Sequence, residues 1–178
     1  MTFDATFVKG AGKSRGSPRA FLRKNLGKKG RNRHYVDVMD HIAILDKKRN
    51  LLSKIISGEK TIESRWYQTK RTPWHNIKKD DVVYFKDSGE LITVKAKVKD
   101  VLFFDELNKE KVEKILNTYG KAICMETLEY TSYYDKKKYC ILIFLDEVLE
   151  IKPFDMDKTG FGNACAWMTV KNIKEIII

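Results

Sequence analysis

The stretch Gly58-Glu59-Lys60-Thr61-Ile62-Glu63-Ser64-Arg65-Trp66-Tyr67 marks a change of period. Before it, Leu51, Leu52, Ile55 and Ile56 recur at helical spacing behind Asp46, a residue type that caps helix N-termini, and Gly58 is placed to end that helix. From Thr61 the residues alternate, which predicts a strand with Thr61, Glu63, Arg65 and Tyr67 on one face and Ile62, Ser64 and Trp66 on the other. Two oppositely charged side chains on one strand face stand about 7 Å apart, within reach of each other or of a shared partner. Lys60 stands at the helix-to-strand corner, where its side chain would overhang a cleft.

Working outward, a polar loop over 68–80 precedes the short strand Val82–Phe85. The turn Asp87-Ser88-Gly89-Glu90 then leads into a long strand, Leu91–Phe104. In that strand Ile92, Val94, Ala96 and Val98 alternate with Thr93, Lys95, Lys97 and Lys99, the mark of a half-buried sheet. Asp105 is expected to cap a helix carrying Leu107, Val112, Ile115 and Leu116, and 121–138 reads as helical or irregular. An apolar strand from Tyr139 to Leu145 runs on toward Pro153, and Ala166–Val170 and Ile173–Ile178 are two further strand candidates. On the N-terminal side, His41–Leu45 is β-like. Five or six strands with two or three helices predict an α+β fold built on a small mixed β-barrel.

The combination Gly58, Lys60, Glu63 and Arg65, followed by Asp80-Asp81 at the head of the next strand, resembles the ASCH domain of the PUA-like superfamily. There, a helix ends in Gly, Lys-x-x-Glu-x-Arg follows, and Gly-Asp or a similar pair opens the next strand. The resemblance covers roughly residues 40–152, and Tyr133-Tyr134 before Lys136-Lys137-Lys138-Tyr139 is similar to small archaeal members. It implies a PUA-like barrel whose cleft beside the first helix takes RNA or a nucleic-acid-like ligand. It also brings in a bacterial branch of amidohydrolases acting on acylated cytidine. That branch relies on a lysine at the position of Lys60 and a threonine three residues later, where this chain has Glu63.

The 178 residues hold 35 Lys+Arg and 24 Asp+Glu, for a net charge of +11. Residues 1–34 carry ten of the cations, Lys9, Lys13, Arg15, Arg19, Arg23, Lys24, Lys28, Lys29, Arg31 and Arg33, against Asp4 alone. That arm is therefore net +9 and residues 35–178 only +2. Rich in glycine and poor in apolar residues, the arm cannot offset its ordering entropy by burial and is expected to be disordered alone, laying along phosphates when RNA is present. Its composition resembles the tails of ribosomal proteins.

Cys124, Cys140 and Cys165 have apolar neighbours and form no C-x-x-C pair, and His34, His41 and His75 stand at no metal-ligand spacing from them. Buried, reduced thiols, no metal and no cofactor are the expectation. The longest apolar run, Cys140 to Leu145, is too short to span a bilayer, and no apolar segment follows Met1 in the arm, so a cytoplasmic location is expected. No Ser-His-Asp, Cys-His, P-loop or dinucleotide pattern is present.

The leading expectation is an RNA-binding protein, monomeric, with rRNA and tRNA among its candidate partners and ribosome association as a narrower form. Its cleft would use Lys60, Glu63, Arg65, Trp66, Arg71, Lys95 and Lys97. Glu63 and Arg65 read equally as a fork for phosphate or a base edge, or as a salt bridge closing the barrel mouth. Each tryptophan reads as core or as a stacking surface, and the strand lysines as a solvated face or a phosphate track. A hydrolase of modified nucleosides or RNA, either amidohydrolase or ribonuclease, using Lys60 and Glu63, is the second expectation. A peptide- or metabolite-binding regulatory module is the third.

Overall fold

The computed structural model describes residues 38–125, 127, 129–162 and 165–178. The basic arm and its ten cations lie outside the described residues. The elements in chain order are β1 (Asp40–Leu45), α1 (Leu51–Ile56), β2 (Ile62–Tyr67), β3 (Val82–Asp87), β4 (Ile92–Phe104), α2 (Lys109–Tyr119), β5 (Tyr139–Phe154) and β6 (Trp167–Val170). They form one mixed six-stranded sheet in the order β2-β5-β4-β3-β1-β6, in which β1 and β3 are parallel and every other pair is antiparallel.

Register shifts between β4 and β5, at three places, curl the sheet, because an extra residue on one strand bends it and increases its twist. The result is a curled half-barrel with α1 and α2 beside it, the α+β fold read from the sequence. Ala43, Leu45, Val83, Phe85, Val94, Ala96, Val98, Ile141 and Ile143 fill its interior, and Leu51 and Ile55 of α1 pack onto the same core. The opposite face of β2 and β5 presents Ile62, Trp66, Cys140 and Leu142 to Val112, Ile115 and Leu116 of α2. Cys140–Ile143 is therefore buried on both faces, which explains its unbroken apolar run.

The curl leaves a seam. Within the sheet β2 pairs with β5 alone, and the Arg65 side chain reaches across the gap toward the other end of the sheet, with Nη1 3.3 Å from the Ala166 carbonyl and Nη2 3.5 Å from that of Ile44.

Local expectations change in four places. Asp46 caps a 3₁₀ turn (Lys47–Arg49), accepting from the Lys48 N–H; Asn50, at φ +51°, then separates that turn from α1. The cap of α2 is Asn108, whose Oδ1 accepts from the Lys111 N–H, rather than Asp105, because a capping side chain must sit one residue before the first helical one. Ile173–Glu175 is a 3₁₀ turn capped by Asn172, and of the terminal run only Ile177 pairs, with Met156. Cys140 is buried as expected, and burial pushes its thiol well above the usual value, but Cys124 and Cys165 are half-buried.

Candidate functional site: a cleft in the barrel seam

A cleft of about 840 Å³ opens at the seam, walled by β2, the end of β1, Arg49 before α1, and Ile123, Met125, Thr127, Thr131, Tyr133 and Tyr134. A volume of this size suits a single nucleotide.

Lys60 does not overhang this cleft; it is folded into the wall and 2% exposed. Its Nζ donates to the carbonyls of Ile62 (2.7 Å) and Ile123 (3.0 Å) and lies 3.2 Å from Glu63 Oε2. The reason is local: backbone carbonyls left over at the start of β2 and in the 121–125 turns need donors, and a buried ammonium supplies them. Glu63 is 3% exposed. Burial alone would push its carboxyl up, but Lys60 and then Arg65 outweigh it and hold it below the usual carboxylate range.

Arg65 Nε lies 2.9 Å from Glu63 Oε1. The guanidinium also sits 4.9 Å from the centre of the Trp167 indole. Two of the three Lys60 N–H groups go to carbonyls, which leaves the third for Glu63 Oε2, while Arg65 Nε–H is not directed at its carboxylate neighbour. A buried polar group in the cleft wall, the Tyr134 hydroxyl, lacks a partner, and burial pushes its pKa up to about 12. Native interiors pair nearly all such groups, so this orphan hydroxyl marks the cleft wall as a place for a ligand's polar group.

Of the residues named from sequence, Lys60, Glu63, Arg65 and Trp66 all line the cleft. Trp66 contributes as structure: it is buried edge-on to Tyr134, 4.9 Å between ring centres. Arg71 is exposed outside the cleft, with its guanidinium 5.8 Å from the ring centre of Tyr67, itself a cleft residue. Lys95 and Lys97 lie elsewhere, on the side of β4 opposite the barrel-filling Val94, Ala96 and Val98, and Lys97 pairs with Asp80 at 2.9 Å. Sequence reasoning by function missed Tyr133, a half-exposed ring in the cleft lining, and the Ile44, Ile123 and Ala166 carbonyls. The Tyr133-Tyr134 pair was a visible signal, whereas backbone carbonyls leave none in a sequence.

Among the described residues no group of three or more His, Cys, Asp or Glu side chains could hold a metal, and no helix is long and apolar enough to cross a membrane.

The family model of the ASCH domain matches residues 48–175. Among solved structures, the ASCH protein of Zymomonas mobilis is similar at 16% identity and a TM-score of 0.55, over 74% of this chain and 87% of that one. A mutant of the same protein matches with the same identity and TM-score, over 74% and 89%. No curated protein matches significantly.

Proposed function

This chain belongs to the ASCH domain family, and on that premise we propose that it binds RNA by taking an unstacked nucleotide into the seam cleft. The observation that carries the reading is a nucleotide-sized cleft whose wall holds Glu63, a carboxylate kept anionic by Lys60 and Arg65, together with the unpartnered Tyr134 hydroxyl. A carboxylate held anionic by Lys60 and Arg65 accepts from a base amino or imino group, and the Tyr133 ring at the same cleft offers a stacking face. Arg65 serves as a brace across the seam, since its guanidinium already engages Glu63, Trp167 and the Ala166 carbonyl. The arm adds sequence-independent phosphate contacts from its ten cations, with ribosomal or transfer RNA as the structured partners its composition suits.

The hydrolase reading has less support, because Lys60 Nζ already contacts three oxygens and has no open approach to a substrate carbonyl.

The test is fluorescence anisotropy with the full-length chain and a short labelled single-stranded RNA. Tyr133→Ala, a half-exposed position, should leave the melting curve unchanged and weaken binding about tenfold, within the ~1–3 kcal/mol of one stacked base. Equal affinity of wild type and Tyr133→Ala would overturn the cleft as the binding site, and no RNA binding by wild type would overturn the function.

A further inference from the structure

The domain's slight excess of positive charge is concentrated in two loops that meet beside the cleft. The β2–β3 loop (68–80) and the segment 135–138 together hold seven cations, Lys70, Arg71, Lys78, Lys79, Lys136, Lys137 and Lys138, against Asp80 and Asp135. Both acids are engaged elsewhere, Asp80 with Lys97 and Asp135 as acceptor for the Tyr130 hydroxyl. The loops are tied together and to the cleft: the Lys138 N–H donates to the Tyr67 carbonyl (2.8 Å), and the Tyr67 hydroxyl donates to the Thr72 carbonyl (3.1 Å).

Three of these cations rest on rings. Lys137 Nζ lies 4.5 Å from the centre of Tyr133, Arg71 5.8 Å from Tyr67, and Lys70 5.5 Å from Tyr139 and 5.8 Å from Trp74. Among the described residues none of the three has a carboxylate partner. Burial lowers the pKa of Lys137, and the charge of Arg71 adds to the effect. The rings under Arg71 and Lys137, Tyr67 and Tyr133, both line the cleft, so an anion at its mouth would meet two cations that have no carboxylate of their own among the described residues.

We infer that Lys70, Arg71 and Lys137 form a phosphate-binding rim, so that the cleft takes a nucleotide within a strand, held by the phosphodiester beside its base, rather than a free nucleoside. This rests on the RNA-binding reading above. Aromatic support holds each of the three cations over a ring, and Lys70 rests on Tyr139, the strand partner of the cleft residue Tyr67.

The test compares two charge-matched double variants of the full-length chain, binding a short single-stranded RNA over a salt series. Arg71→Gln/Lys137→Gln removes two rim charges and keeps the aliphatic reach. Lys95→Gln/Lys99→Gln removes two charges from β4. If the rim holds phosphate, the first variant binds about tenfold more weakly at moderate salt and its log–log salt slope shrinks by roughly 1.4, about 0.7 per lost contact, whereas the second stays near wild type. Equal losses in the two variants, or an unchanged slope in the first while wild type binds, would sink the rim and leave the cleft reading standing. Failure of wild type to bind RNA would remove both.

Discussion

Lys60 and Glu63 are buried at the start of β2, and His41 and Asp81 are buried at the start of β1 and just before β3. The two clusters share Trp167: its ring faces the Arg65 guanidinium while its Nε1–H donates to His41 Nδ1 at 3.2 Å. Around His41 the hydrogen bonds close. With Nδ1 accepting from Trp167, Nε2–H donates to Asp81 at 3.2 Å, and Asp81 also accepts from the Met39 and Lys78 N–H groups, both at 2.9 Å. Around Glu63 one carboxylate is shared by two cations, Lys60 and Arg65, which leaves positive charge in excess. The closed cluster ties strands together; the open one sits at the unpaired edge of the sheet, where a ligand can complete it. Asp80, at φ +73° and standing where the family resemblance expects glycine, makes the turn that feeds Asp81 inward.

Breaking the open cluster should cost most. Glu63→Gln leaves the Lys60 and Arg65 charges buried with no anion between them, and urea unfolding should show a loss of about 3–5 kcal/mol. Lys60→Met/Glu63→Gln removes one charge of each sign and should recover most of it, giving a coupling that a double-mutant cycle reads directly. If the double variant is as unstable as the single, the cluster is a hydrogen-bonded unit like its neighbour and the contrast fails. Next, Asp81→Ala strands three donors, those of Met39, Lys78 and His41. It should cost about 3 kcal/mol without altering RNA affinity measured on the folded fraction.

Acid separates the clusters by pH window. Burial lowers the pKa of His41 below its usual 6.5, more than Asp81 raises it, and a proton on Nδ1 would face the Trp167 N–H. The unfolded chain then binds a proton that the folded chain refuses, so stability falls as pH drops below 6.5, by at most about 1.4 kcal/mol per pH unit, until the lowered folded value is reached. Glu63 acts in the opposite sense of charge and lower in pH. Its folded pKa lies under the usual 4.5, so its contribution is intact above 4.5 and lost as pH falls through the folded value. Urea midpoints between neutral pH and pH 5 should therefore slope in wild type and flatten in His41→Gln, while Glu63→Gln keeps the slope. A slope retained in His41→Gln would assign that window to another group. The smallest effect belongs to the exposed Lys97–Asp80 pair: Lys97→Ala should stay within about 0.5 kcal/mol of wild type and bind RNA unchanged.

Much of the fold is legible in the sequence because it follows local period and punctuation. The switch from helical spacing to alternation near Gly58, the alternation from Ile92 to Val98, and the unbroken run at Cys140–Leu145 each specify an element and its buried faces. Misreadings fall where capping and short turns decide, as at Asp105 and at Ile173–Ile178, since several polar residues can compete for one cap and a short apolar run suits either strand or turn. For the site, the sequence put Glu63 and Arg65 on one face and within reach of each other.

By itself, the sequence determined the charge partition between arm and domain, the strand carrying Glu63 and Arg65 with Lys60 at the corner before it, and the resemblance that this stretch supports. Tertiary structure alone decided that the barrel stays open between its edge strands β2 and β6, that Arg65 spans the gap, and that Lys60 turns inward to carbonyls. It also brought the loops around Arg71 and Lys137 together. The physical reason is range: period and capping act over a few residues, whereas sheet closure, carbonyl satisfaction and the repulsion of distant cations depend on which strands the curled sheet brings side by side.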